Sequence, residues 1–279
     1  MRIVECVPNF SEGKDKKIIS KIANSIKKVP NIKLLDIHKD PDHNRSVMTF
    51  TGTPEQVIKA AFNATKTAAS LIDLTKHKGQ HPRTGATDVI PLIPLKGITF
   101  EELIPFAENL GDRITDELNI PVILYEKAAK DSKNKNLALV RKRLAKNPSA
   151  KHGTTVVGVR DILIAFNVNL KTDNLNIAKQ IAKSIREKDG GLKSVKALGL
   201  PLPSRKITQV SMNLVNYKQT PPLKVFQEIT RLAKKLNTEI LESELVGLIP
   251  KDALPPNPEK SLKLKKYKIL SLQNTQKSV

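Results

Sequence analysis

The stretch VRDILIAFNVNL at residues 159–170 is a short apolar run typical of a β-strand, and the next segment, LNIAKQIAKSIREK at 175–188, has the apolar period of an amphipathic helix. The series continues with two strand-like runs, a helical segment and a last strand, at 194–200, 206–215, 221–236 and 238–250. This order of strand, helix, two strands, helix and strand is that of a split βαβ, or ferredoxin-like, unit.

The first half of the chain repeats this order. Strands are predicted at 1–8, 33–39, 45–52, 87–94 and 121–126, and helices at 14–28, 53–72 and 99–118. We therefore predict an α+β protein with two ferredoxin-like (split βαβ) subdomains and a ligand cleft between them.

The pattern divides the chain into three predicted segments. The N-terminal subdomain spans 1–152, the C-terminal subdomain spans 153–254, and a basic tail spans 255–279. Residues 130–152 are rich in Lys and Asn and are interpreted as a linker or mobile loop. Thr53, followed by Pro54, is expected to cap the second helix of the N-terminal subdomain.

Composition indicates a folded, cytoplasmic protein. Of 279 residues, 39% are hydrophobic and 27% are charged, which provides enough apolar material for real cores. No apolar run approaches the roughly 20 residues that span a bilayer, and the first ten residues are too polar for a signal peptide. Cys6 is the only cysteine, so an internal disulfide and a cysteine zinc site are excluded, and it is interpreted as core filler.

The formal charge of +21, from 48 basic and 27 acidic residues, would attract polyanions. A basic nucleic-acid-binding protein is therefore one hypothesis, because ferredoxin-like sheets bind RNA. Such sheets stack bases on exposed aromatic side chains, but aromatic residues are only 4% here and Trp is absent. Lys is spread along every helical segment, so a solvated Lys-rich surface is the competing interpretation.

The histidines point to a site in the first half of the chain. Four of the five cluster in two turn regions; the five are His38, His43, His77, His81 and His152. A histidine near pH 7 both gives and takes a proton, so two histidine-bearing loops at one sheet edge suggest acid/base chemistry. His77 and His81 have the spacing of helical metal ligands, but Gly79 and Pro82 argue against a helix and no carboxylate lies nearby. No metal site is expected.

The loop around His81 has a restricted backbone. Pro82 holds the residue before it in an extended conformation, and Gly79 and Gly85 permit tight turns on either side. The loop is therefore predicted to present His81 and Arg83 at the mouth of the following strand. The alternative is a plain connection between a helix and a strand.

Five blocks of sequence carry a resemblance to a known family. They are VECVPNFSEG at 4–13, LLDIHKDPDHNRSV at 34–47, LIDLTKHKGQHPRTGATDVIPLIP at 71–94, GVRDILIAFNVNL at 158–170 and SELVGLIP at 243–250. In order along the chain, these blocks resemble the glutamate formimidoyltransferase family, and the similarity covers most of residues 1–250.

The resemblance implies that a homodimer transfers the formimino group of formiminoglutamate to tetrahydrofolate, its co-substrate, in histidine degradation. The family's catalytic histidine falls on His81, which would move a proton to the departing glutamate nitrogen. The planar guanidinium groups of Arg45 and Arg83 are suited to bind the carboxylates that both substrates carry. The alternative for Arg45 is a surface charge at the edge of its strand. The other residues predicted to bind substrate or folate are Asn9, Asp40, Asn44, Gly85 and Gly153. Asn9 could instead only cap its turn.

The segment before Gly153 departs from the family pattern. The family has a longer, aromatic-containing loop there that contacts folate, whereas this chain has KDSKNKNLALVRKRLAKNPSAKHG at 130–153, of which only NPSAKHG resembles the family. The alternative function is therefore a folate-binding member of the family that uses another one-carbon donor or has lost catalysis.

Overall fold

The computed structural model describes residues 1–144 and 151–271. The chain divides into two compact units between Arg160 and Asp161. Both units combine helices with strands, so the predicted α+β class is confirmed. Within the described ranges, no helix has both the length and the apolar content that a membrane span requires.

The described residues of the first unit form seven strands and four α-helices. The strands are β1 (Ile3–Cys6), β2 (Asn9–Phe10), β3 (Lys33–Asp40), β4 (Arg45–Gly52), β5 (Thr87–Lys96), β6 (Val122–Glu126) and β7 (Thr155–Val159). The helices are α1 (Lys16–Lys27), α2 (Pro54–Leu71), α3 (Phe100–Leu118) and α4 (Leu137–Leu144).

Polar side chains fix where three of these helices begin. Asp15 caps α1 with its carboxylate. Thr53 and Thr99 start α2 and α3 with capping boxes, in which the side chain three residues later bonds back to the cap. The predicted cap at Thr53, with Pro54 in the first turn, is confirmed. Each such cap stabilises its helix by about 1 kcal/mol.

The seven strands form one sheet in the order β3, β4, β1 with β2, β5, β7 and β6. β1 and β2 each pair with both β4 and β5 in antiparallel register, whereas β5, β7 and β6 run parallel. The buried side chains of Phe10, Phe50 and Leu92 belong to the hydrophobic core that the helices share. Cys6, interpreted as core filler, is fully buried in the same core.

The boundary between the two units lies later in the chain than the sequence predicts, because β7 belongs to the first unit. The apolar stretch 159–170, predicted as one strand, contains the end of β7 and all of β8 (Ile164–Leu170). β7 lies between β5 and β6 and pairs with both, so residues 155–159 complete the first unit's sheet. The predicted boundary assigned them to the C-terminal subdomain. Both strands are almost entirely buried and read as one apolar run, so periodicity alone did not separate them.

The second unit forms six strands and three α-helices among its described residues. The strands are β8, β9 (Val195–Leu202), β10 (Ile207–Leu214), β11 (Ile240–Val246), β12 (Leu248–Pro250) and β13 (Lys268–Leu270). The helices are α5 (Leu175–Ile185), α6 (Pro222–Lys235) and α7 (Pro258–Ser261).

The main sheet of the second unit has the order β11, β8, β10 and β9, with every neighbouring pair antiparallel. Alternate residues of its strands are buried together with side chains of α5 and α6. Phe166, Val210, Ile181 and Ile229 are all fully buried in this core. The order of strand, helix, two strands, helix and strand agrees with the pattern of residues 159–250.

Part of the predicted basic tail is folded. Leu262 and Leu264 are buried in the core of the second unit, and the Ser243 hydroxyl donates to the carbonyl oxygen of Leu262. β13 pairs in parallel with β12. Residues 272–279 of that tail, and residues 145–150 of the predicted linker, lie outside the described residues. The rest of the linker contains α4.

Candidate active site

Two turns of the first unit are hydrogen-bonded to each other. One joins β3 to β4, and the other is the loop between α2 and β5. The backbone N–H of Gln80 donates to the carbonyl oxygen of Asp42 at 3.0 Å. The ring centroids of His43 and His81 are 5.7 Å apart. The structure thus brings the two histidine-bearing turns together.

Both ring nitrogens of His81 lie close to hydrogen-bonding groups. Nδ1 is 2.7 Å from the carbonyl oxygen of Pro82. Nη1 of Arg45 is 2.6 Å from each ring nitrogen. A carbonyl oxygen only accepts hydrogen bonds and a guanidinium only donates them. The proton of the neutral ring is therefore assigned to Nδ1, and the lone pair of Nε2 accepts from Arg45.

The surroundings of His81 disfavour its charged form. Burial is the largest cause, followed by the positive charges of Arg45 and Arg141, and together they hold the pKa of His81 well below its usual range. His43 adds to this effect, whereas the hydrogen bond to Pro82 opposes it. At neutral pH the imidazole is consequently uncharged and able to take up a proton.

Asn9 and Arg45 are hydrogen-bonded to each other next to His81. Nη2 of Arg45 donates to Oδ1 of Asn9, and Nδ2 of Asn9 donates to the carbonyl oxygen of Val7 at 2.8 Å. Asn9 thereby holds one branch of the guanidinium while the other branch meets His81. Burial, together with the charge of Arg141, lowers the pKa of Arg45 to about 9, so Arg45 is still charged at neutral pH.

Asp88, in β5, is a carboxylate at the site that the sequence prediction did not include. It is only 1% exposed. Its Oδ1 accepts from the backbone N–H and the hydroxyl of Thr84 at 2.9 and 3.0 Å. Its Oδ2 accepts from Arg141 and lies 3.9 Å from Nη2 of Arg45. Burial would raise the pKa of Asp88, but the charges and hydrogen bonds of its neighbours, Arg141 first, lower it below its usual value.

Arg141 was also missed, because it lies in α4, within the segment interpreted as a linker. The side chain of Val140, next to it in the chain, is fully buried with Val89 and Val156. Because Val140 is fixed in this way, the neighbouring Arg141 lies next to Asp88. The apolar spacing of Leu137, Val140 and Leu144 was the available signal for a helix there.

Arg83 holds the backbone of the two turns together. Its Nε and Nη2 donate to the carbonyl oxygen of His81 at 3.2 and 2.8 Å, and Nη2 also donates to that of His43 at 3.3 Å. Its Nη1 contacts Nδ1 of His77. These donors are therefore engaged within the protein, and a role for Arg83 in binding a carboxylate stays a prediction.

Asn44 and Asp40 also act on the backbone of the turns. Asn44 adopts a left-handed conformation with φ of 47°, which asparagine tolerates better than most residues. Its Oδ1 accepts from Gly13 at 3.0 Å and its Nδ2 donates to Lys78 at 2.9 Å, so its amide links three loops. Oδ1 of Asp40 accepts from the backbone N–H of His43 at 2.7 Å. A ligand role for either residue stays a prediction.

Gly85 and Gly153 lie opposite each other in an antiparallel bridge at the base of the loop. The φ of Gly153 is 66°, and a Cβ there would collide with the carbonyl oxygen of Thr84. The two predicted glycines thus allow the close backbone approach that positions the start of β5. Asp88 follows directly on this strand.

Comparison with known proteins identifies the family. A model of the formiminotransferase domain, N-terminal subdomain, matches residues 3–156, and a model of the formiminotransferase domain matches residues 165–277. The chain belongs to the formiminotransferase family. The resemblance drawn from five sequence blocks is thereby confirmed.

Similar members of the formiminotransferase family match most of this chain. The chain is 42% identical over 273 residues to the glutamate formimidoyltransferase of Thermoplasma acidophilum, covering 91% of this chain and 90% of that protein. It is equally similar to the enzyme of the same name from Streptococcus pyogenes. It is 41% identical to the formimidoyltransferase-cyclodeaminase of Mus musculus, of which it covers 51%.

Proposed function

We propose that this protein is a glutamate formimidoyltransferase, which transfers the formimino group of formiminoglutamate to tetrahydrofolate, its co-substrate, as in histidine degradation. The 42% identity to relatives of that name, over 91% of the chain, supports this proposal. The observation that carries the chemistry is the contact of Arg45 with His81: Nη1 of Arg45 lies 2.6 Å from Nε2 of an imidazole whose pKa its surroundings hold well below the usual range.

His81 serves as the proton carrier of the proposed reaction. A folate amine attacks the formimino carbon, and Nε2 of His81 takes the proton that this amine loses. The resulting tetrahedral intermediate contains both the new bond to the folate nitrogen and the old bond to the glutamate nitrogen. His81 then returns the proton to the glutamate nitrogen, that bond breaks, and glutamate leaves. The histidine is unchanged after the cycle, as general acid/base catalysis requires.

The low pKa of His81 favours the release of the proton more than its uptake. Before the attack the ring is uncharged and accepts a proton. Once protonated next to Arg45 it is a strong acid, so it releases the proton readily to the leaving nitrogen. The approaching folate amine takes the place of Arg45 at Nε2. The displaced guanidinium is then available to a substrate carboxylate.

The surplus of positive charge at the site fits substrates that carry carboxylates. Arg45 and Arg141 bring two positive charges to one buried negative charge, that of Asp88. A carboxylate of formiminoglutamate or of the folate glutamate would neutralise the remaining charge. Guanidinium groups bind carboxylates through two parallel hydrogen bonds, which also fixes the orientation of the substrate.

We also propose the ferredoxin-like fold for each unit. The strand order β11, β8, β10, β9 of the second unit supports it, as does the order β3, β4, β1, β5 within the first. A ligand cleft, a cytoplasmic location and a homodimer stay predictions.

Turnover assays test the proposed function directly. Purified protein is incubated with tetrahydrofolate and, separately, with formiminoglutamate, formylglutamate or formiminoglycine, and the folate product is followed by absorbance. Turnover with formiminoglutamate is expected. Turnover only with another donor would overturn the substrate, and no turnover despite folate binding would indicate a non-catalytic member of the family.

His81→Ala tests the proton carrier. We expect a loss of about 10² to 10⁴ in kcat, because general acid/base groups typically contribute that factor. His38→Ala is the matched control, since His38 lies on β3 and its ring is not among the groups that surround His81. Circular dichroism should show an unchanged fold in both variants. Full turnover of His81→Ala with both substrates saturating would remove His81 from the mechanism.

A further inference from the structure

A buried array of three charged groups extends from α4 to His81. Arg141 donates to Oδ2 of Asp88, the same oxygen lies 3.9 Å from Arg45, and Arg45 reaches His81 at 2.6 Å. The side chains of Arg141, Arg45 and Asp88 are 13%, 18% and 2% exposed. Charges so weakly exposed to water are poorly screened, so each acts on its neighbours.

The charge on this array is not balanced. Asp88 contributes one negative charge, and Arg45 and Arg141 contribute two positive charges. The other titratable groups near the imidazole are His43 from the turn between β3 and β4, and His77 and Arg83 from the loop of His81 itself. The carboxylate of Asp40 lies 3.9 Å from His43, and it is not among the charges that shift the pKa of His81. The field at His81 is therefore positive.

We propose that Arg141 is a positioning residue: acting through Asp88 and Arg45, it keeps Nε2 of His81 free of a proton in the working enzyme. This inference rests on the proposed role of His81 as proton carrier. Without Arg141, the single charge of Arg45 would be matched by that of Asp88. The imidazole would then accept a proton from solvent at a higher pH, which would block the uptake of the substrate proton.

The local structure allows this charge to be removed without disturbing α4. The helix is fixed by the buried side chain of Val140, with Leu137 and Leu144 packed beside it. Within the part of the chain that the structure describes, Nε of Arg141 has no hydrogen-bond partner. The hydrogen bond that links Arg141 to the site is the one to Asp88. Methionine at position 141 would keep the length and most of the packing of the side chain.

The test compares Arg141→Met with Lys142→Met, which removes the same charge from an exposed neighbouring position on the same helix. The proton uptake of His81 is followed by NMR of the histidine ring, and kcat/KM is measured from about pH 5 to 8. In Arg141→Met, we expect the His81 titration to move up towards about 6.5, the value of an unperturbed histidine. Relative to its own value at about pH 8, kcat/KM of the variant should then fall at about pH 6, and the unaltered enzyme should show no such fall.

One further variant, Arg141→Lys, separates charge from shape. Arg141→Lys keeps the charge and should keep the pH profile of the unaltered enzyme, and Lys142→Met should leave it in place. A His81 titration that is the same in Arg141→Met as in the unaltered protein would overturn the inference. The NMR titration needs no turnover, so a failure of the proposed activity would be recognised separately from a failure of this inference.

Discussion

Asp88→Asn should be one of the most destabilising single substitutions in the first unit. The asparagine retains an oxygen for the two hydrogen bonds from Thr84, at 2.9 and 3.0 Å. It replaces Oδ2 by an amide nitrogen that faces the guanidinium groups of Arg141 and Arg45. Both arginines would then be largely buried without a counter-charge, at side-chain exposures of 13% and 18%.

The size of the effect follows from the burial of the pair. Removing one partner of a buried ion pair costs about 3–5 kcal/mol, because the remaining charge is left uncompensated. A domain is stable by only about 5–15 kcal/mol, so the first unit should lose a large share of its stability. The double variant Asp88→Asn, Arg141→Met should recover part of this loss, because one of the two uncompensated charges is then absent.

Urea unfolding followed by circular dichroism measures the change. Because the chain has two units, two transitions are fitted, and the one that shifts is assigned to the first unit. Asp112→Asn, at an exposed position on α3, is the control and should change stability by less than about 0.5 kcal/mol. If Asp88→Asn is as stable as the control, or if the effects of Asp88→Asn and Arg141→Met are simply additive, the buried array does not hold the site together.

Two further outcomes are expected. Arg45→Lys should raise KM for one substrate by about tenfold, because losing a charge-assisted, two-point contact costs roughly 1.5–3 kcal/mol; unchanged KM values for both substrates would contradict it. Acid should destabilise the first unit, since the pKa of His81 is held well below its usual range and burial lowers that of His77 to about 4. The unfolded chain then binds these protons first, so stability falls as the pH drops below about 6.5. Thermal unfolding from about pH 8 to 5 measures this, and a melting temperature that rises with acid would argue against it.

The elements predicted from the sequence are those whose signal is local. The N-cap at Thr53 and the strand and helix order of residues 164–246 depend on neighbouring residues, so periodicity and cap chemistry revealed them. The place of β7 in the first sheet depends on pairing with β5, more than 60 residues earlier in the chain. No local pattern contains that information.

The candidate site likewise contains residues that a local sequence signal reveals and residues that it does not. His81 and its loop were found from a short motif, and the structure brings Asn9 and Arg45 to them. Asp88 lies in the stretch 71–94 that carries part of the family resemblance, but it was interpreted as part of an apolar strand. A carboxylate in such a strand is itself a signal, because a buried charge requires a partner. The partner, Arg141, could not be identified, since its contact spans 53 residues of sequence.

The position of β7 also constrains how the protein is synthesised. β6 is made before β7, yet within the described residues it pairs with β7 alone. At about 5–20 residues per second, residue 159 emerges from the ribosome roughly 2 to 7 s after residue 126. During that interval VILYE at 122–126 is a strand with no partner, which is a template for aggregation. The bridge between Gly85 and Gly153 must also wait until residue 153 has been made. A nascent chain that lacks residues 155–159 therefore exposes an unpaired strand that a chaperone would have to cover.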